Sequence, residues 1–90
     1  MKRRIIDVRT VDEFRLGHVE SAVNLDLEDG TFAAALTSLD PSLSYVVYCR
    51  SGRRSAIAAA LLADHGFGDV TDLGSLENAA VTLGAAVVSG

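Results

Sequence analysis

Apolar residues along this chain come in short bursts, and the stretches between them carry helical signals. Arg4-Ile5-Ile6-Asp7-Val8 reads as a first strand, with Ile5, Ile6 and Val8 apolar. Thr10 with Glu13 three positions on is a capping-box pattern; it opens a short helix through Leu16 that Gly17 stops. Ala22 to Leu25 reads as a second, brief strand. Thr31 to Leu39 is an Ala-rich helical stretch, ended by Asp40-Pro41 because the residue before proline is pushed out of the helical region. Ser44 to Cys49 is the clearest strand, β-branched and aromatic, with turn residues ahead of it. A helix follows from about Arg54 to His65. Gly66 stands where a left-handed cap belongs, and Phe67 is placed to contact Leu62 as in a Schellman motif. Asp69 to Leu73 is a last strand, Leu76 to Leu83 a last helix, and Val87-Val88-Ser89-Gly90 a tail.

Strands alternating with helices through short connections predict an α/β fold: a small, mainly parallel β-sheet with helices on both faces and right-handed crossovers. Ninety residues make one domain, residues 1–90. In such sheets ligands bind at the carboxyl ends of the strands. Cys49 lies at one such end, Asp7 and Arg9 at another.

Composition narrows the function classes. An apolar content of 49% fits a folded core, and only 6% aromatic residues imply close helix–sheet approach in place of bulky packing. The longest nearly apolar run, Ala56 to Ala63, is too short to span a bilayer, so no membrane role is expected. The basic start Met1-Lys2-Arg3-Arg4 is followed at once by Ile5-Ile6-Asp7, which leaves no apolar leader segment. One cysteine allows no internal disulfide, and a reduced, cytoplasmic setting is the expectation. Net charge is −4, which disfavours nucleic acid as a partner. One cysteine with two distant histidines forms no recognisable metal-ligand set.

Against that acidic background, Tyr48-Cys49-Arg50-Ser51-Gly52-Arg53-Arg54-Ser55 stands out. It places the thiol between a strand and an Ala-rich helix, on a cationic loop. Helix N-termini and arginines favour thiolate over thiol. Gly52 permits backbone angles that turn successive N–H groups toward one point, a nest for an anion. Arg50, Arg53 and Arg54 add charge, and the guanidinium fork suits oxyanions of sulfur. The sulfur of Cys49 is therefore expected to be ionised near neutral pH and open to attack a donor. No cofactor is needed for such chemistry. The contrasting reading, a small buried hydrophobe ending a strand, sits poorly with three arginines in the next five residues.

Several segments together resemble the rhodanese-like sulfurtransferase family. They are Ile6-Asp7-Val8-Arg9 with Glu13-Phe14, Gly17-His18-Val19 with Ala22 and Asn24, Val47 through Ser55, Ala58, Leu61, Gly66-Phe67, and Val70 with Leu73-Gly74. The resemblance runs from about Ile5 to Gly74 and implies a three-layer α/β/α fold. It also implies that Cys49 takes a sulfane sulfur from a small anionic donor such as thiosulfate, forming a persulfide. The sulfur then passes to cyanide, a thiol or a protein acceptor. By the same resemblance Cys49, Arg50, Ser51, Gly52, Arg53 and Arg54 form the active-site loop, and the amides through Ser55 stabilise the sulfur. The chain departs from the family pattern at Ser75, where a second glycine is usual, at Glu20-Ser21 in place of proline–glycine, and in having no tryptophan. The family's leading strand and helix, ahead of the Asp-Val-Arg motif, are expected to be missing or reduced to Met1-Lys2-Arg3.

Alternatives remain at this stage. A sulfur-relay or polysulfide-sensing module would carry the same loop. Phosphatases with a similar cradle place their phosphate-binding arginine six residues after the cysteine; here that position is Ser55, and Arg54 comes at the fifth. The shorter ring suits one sulfur atom better than a phosphoryl group, and arsenate reduction meets the same objection. For Asp7 and Arg9, an ion pair bracing the strand end is the preferred reading and a wall of the pocket beside Cys49 the other. For His18, a backbone hydrogen bond holding a turn is preferred over a general base. Arg54 is expected near the helix start, where turning inward would brace the loop.

Overall fold

The computed structural model describes residues 3–90; Met1 and Lys2, half of the basic start, lie outside the described residues. The elements in order are β1 (Arg4–Asp7), α1 (Val11–Leu16), β2 (His18–Val19), β3 (Val23–Asn24), α2 (Thr31–Ala35), β4 (Tyr45–Cys49), α3 (Arg53–Asp64), β5 (Val70–Ser75), α4 (Leu76–Leu83) and β6 (Val87–Val88). The central sheet has the order β3-β1-β4-β5 with every pair parallel. This is the expected α/β class.

All five residues of β4 are buried, because helices cover both faces of the sheet. Side chains alternate along the strand. Tyr45, Val47 and Cys49 face the layer built from Phe32 and Leu36 of the α2 region and Ala58 and Leu62 of α3. Val46 and Tyr48 face the layer formed by Val19, Leu73 and Ala79 of α4. Ala58 has no exposed surface, and its small side chain lets α3 lie close to the strand that carries Cys49. Gly66 adopts φ +87, with Gly66 N–H donating to Ala63 O at 3.1 Å and Phe67 N–H to Leu62 O at 3.1 Å. That is the Schellman closure expected of this segment.

Three features differ from the sequence reading. The α2 helix stops at Ala35, short of the predicted Leu39, with Gly30 at its start offering no side-chain cap and Thr37 and Ser38 favouring turns. Strand β5 runs on to Ser75 because a bulge at Leu73 shifts the register from Val47↔Asp72 to Tyr48↔Gly74. Gly74 meets this with φ +76. The tail becomes β6, pairing antiparallel with β2 as His18↔Val88 and Val19↔Val87. The Tyr48 hydroxyl accepts from Val19 N–H at 3.0 Å, tying this small sheet to the central one. Ser75, where the family pattern has glycine, caps α4: its Oγ accepts from Asn78 N–H at 3.1 Å.

Candidate active site

Strand β4 delivers Cys49 to the carboxyl end of the sheet with its side chain toward α3. The chain then turns through Gly52, at φ +99, into the first turn of α3. A Cβ there would sit in a conformation that L side chains rarely adopt, 3.6 Å from the Gly74 Cα. This turn aims amides at the sulfur: Gly52 N–H donates to Sγ at 3.0 Å and Ser55 N–H at 3.4 Å. The Ser55 hydroxyl lies 3.5 Å from Sγ, 3.1 Å from Gly52 O and 3.4 Å from Gly74 O, so it joins the sulfur, the loop and β5.

These donors decide the protonation of the thiol. Burial pushes the Cys49 thiol up, but the Ser55 hydroxyl and the N–H groups of Ser55, Gly52 and Ser51 outweigh it and hold it below the ordinary cysteine range. Of the loop residues, Gly52 and Ser55 are the ones whose hydrogen-bonding groups reach the sulfur at the distances above. Openness is the point that needs correction. Cys49 is 0% exposed, because the amides that stabilise the sulfur also draw the loop over it.

The three arginines divide. Arg50 and Arg53 are exposed and, among the described residues, form no salt bridge. The Arg54 guanidinium is forked by Glu13, Nη1 to Oε1 at 2.7 Å and Nη2 to Oε2 at 3.0 Å, with Glu28 3.5 Å from Nη1. Glu13 also closes the predicted capping box, its Oε1 accepting from Thr10 N–H at 3.1 Å while Thr10 Oγ1 accepts from Glu13 N–H at 3.3 Å. Hydrogen bonds from Arg54, helped by those from Thr10, lower the Glu13 carboxyl to about 2. The capping pattern located Glu13 as a helix residue, but nothing in its spacing signals the pairing with Arg54.

Asp7 and Arg9 form a buried ion pair, Arg9 Nη2 donating to Asp7 Oδ2 at 2.6 Å and to Gly17 O at 2.6 Å. The Asn24 amide donates to the carbonyls of Asp7 at 3.1 Å and Arg9 at 2.9 Å. Register pairs Asp7 with Tyr48, and the guanidinium lies 5.6 Å over the Tyr48 ring. Since Tyr48 and Cys49 point to opposite faces, the pair packs on the Tyr48 face of β4. The ring of His18 stacks on Phe14 with centroids 3.7 Å apart, and Nδ1 lies 2.8 Å from Phe14 O. It holds the turn after α1. Among the described residues no group of acidic, histidine and cysteine side chains could hold a metal ion.

A cleft of about 340 Å³ flanks the loop, lined by Leu27, Glu28, Arg53, Arg54 and Ile57. The larger groove, about 1150 Å³, lies away from it between the Arg3–Ile6 segment, β3 and the Thr82–Ala85 turn. No residue of the cysteine loop lines that groove, whereas Arg53 and Arg54 line the smaller cleft.

The family model described as "Rhodanese-like domain" matches residues 1–79. The chain is 32% identical over 76 residues to thiosulfate sulfurtransferase PspE of Escherichia coli, covering 84% of this chain and 73% of that protein. It is 36% identical over 70 residues to thiosulfate sulfurtransferase GlpE of Shewanella oneidensis, covering 78% and 67% respectively. Among solved structures, a rhodanese from E. coli described with anions superposes with a TM-score of 0.81 at 28% identity, covering 99% of this chain and all of that one. With a parallel sheet, a cysteine at its carboxyl end and a family match over residues 1–79 that agree, this chain belongs to the rhodanese-like domain family.

Proposed function

We propose that this protein is a sulfurtransferase moving a sulfane sulfur from thiosulfate, or a related anionic donor, through a persulfide on Cys49. The thiolate attacks the outer sulfur of thiosulfate; the S–S bond of the donor breaks and sulfite leaves with the electron pair. A nucleophilic acceptor, cyanide or a thiol, then attacks the outer sulfur of the persulfide, and the Cys49 thiolate is released. Neither step needs a general base once the thiol, held below its ordinary range, has given up its proton and attacks as the thiolate. Nor does either step call for a cofactor.

The observation that carries this reading is the set of donors converging on Cys49 Sγ from Gly52 and Ser55. Fixed donors around a buried anion stabilise it without reorganisation, for the thiolate and the persulfide alike. The unpaired charges of Arg50 and Arg53 draw the sulfonate end of the donor to the loop. A phosphatase role is disfavoured because Ser55 fills the sixth position after the cysteine and Arg54 is engaged by Glu13. A relay to a protein thiol uses the same persulfide and differs only in the acceptor.

Intact mass after thiosulfate treatment tests the reaction class. The native chain should gain one sulfur atom, lose it on adding cyanide, and show no gain as Cys49→Ser. A native chain that gains nothing would refute the transfer.

A further inference from the structure

The cationic loop is not uniformly cationic. Arg54, the arginine adjacent in sequence to the sulfur ligand Ser55, faces two carboxylates: Glu13 in a two-bond fork and Glu28 at 3.5 Å. On the other side, Arg50 and Arg53 carry full, exposed charges. Glu13 comes from α1, far away in sequence, and is itself held by Thr10 through N–H and hydroxyl contacts at 3.1 and 3.2 Å. Its position is therefore set by a helix cap, not by a flexible side chain on the surface. Asp7 and Arg9 pair with each other beside the Tyr48 ring, and Arg9 also feels the Glu13 carboxylate, an attraction common to the native chain and the Arg54 and Glu28 variants.

We infer that Glu13 is a positioning residue for the sulfur site, acting through Arg54: its carboxylate takes up the arginine's charge and fixes its guanidinium, setting how much cationic field the loop presents to Cys49. This deepens the sulfurtransferase reading by assigning a tuning group outside the loop. Arg54 is close enough for the thiolate to feel, since the charge on Cys49 contributes to raising the arginine's own pKa, after the Glu13 hydrogen bond and against burial. Glu28, on the exposed side of the same guanidinium, supports Glu13 more weakly because solvent screens it.

The test reads the thiol by its rate of alkylation against pH, which requires no sulfur transfer and so stands or falls separately from the proposed reaction. Glu13→Gln keeps the cap's hydrogen bonding but removes the charge, so below the thiol's midpoint Cys49 should be alkylated about threefold faster. Arg54→Gln should slow it by a similar factor. Glu28→Gln leaves the α1 cap untouched and should speed alkylation by a smaller factor. Opposite signs for the Glu13 and Arg54 variants support the inference. A strut that merely holds the loop would loosen in both cases and, over a covered sulfur, shift both rates in the same direction; that result, or no change with Glu13→Gln, overturns it.

Discussion

Ser55 shows how much one side chain does at this site. It is 0% exposed, and its hydroxyl and N–H both reach Cys49 Sγ, at 3.5 and 3.4 Å. With the hydroxyl gone, one of the groups opposing burial is lost and the thiol rises toward its ordinary value. Ser55→Ala should therefore slow persulfide formation at neutral pH by roughly tenfold, a loss of about 1.4 kcal/mol, and recover part of it as pH rises. A rate–pH profile identical to that of the native chain would count against this role. Glu13 carries a second consequence at the same scale. Its folded carboxyl lies near 2, below the usual range near 4.5, so the Arg54 pair contributes stability above about pH 4.5 that is lost as pH falls toward 2. Denaturation of Glu13→Gln should depend less on pH across that interval than denaturation of the native chain. The turn after Cys49 was legible in the residues, because a strand, a glycine and a helix start adjacent along the chain bring backbone N–H groups to the thiol. The partner of Arg54 was not legible, because the contact joins residues from distant turns of the chain.

At the scale of elements, the strand-to-helix turn at Gly52 and the bulge at Gly74 are built against each other. Both glycines have positive φ, and a Cβ on Gly52 would lie 3.6 Å from the Gly74 Cα. Gly52→Ala forces an L side chain into the left-handed region at a cost of about 1 kcal/mol or more, lowering Tm by roughly 4–8 °C for a domain of this size. It also tilts the N–H that donates to the sulfur, so alkylation of Cys49 should slow along with the thermal loss. Helices announced by strong local signals were read well: the Thr10–Glu13 cap and the Gly66 stop both form. Elements whose existence depends on a partner were not. The two-residue strands β2 and β6 have no pattern of their own, and β5 gained Gly74 and Ser75 only through its pairing with β4.

Across the whole molecule, Tyr48 links the central sheet to the β2–β6 ribbon and lies beneath the Asp7–Arg9 pair. Tyr48→Phe leaves the buried Val19 N–H without its acceptor, a cost of about 1–3 kcal/mol, while the sulfur on the opposite face keeps its ligands. A lower Tm with unchanged Cys49 alkylation is expected; altered alkylation would mean the two faces are coupled. No helix among the described residues is long and apolar enough to cross a membrane, in line with the short apolar runs. Residue order by itself determined the α/β class and the amide-lined turn after Cys49, because each rests on local propensity or on groups adjacent along the chain. Only tertiary structure decided that the sulfur is covered, that Asp7 and Arg9 pack on the Tyr48 face, and that Glu13 compensates Arg54. Those outcomes depend on which face of the sheet a side chain meets and which distant element packs beside it, and neither is encoded in local spacing.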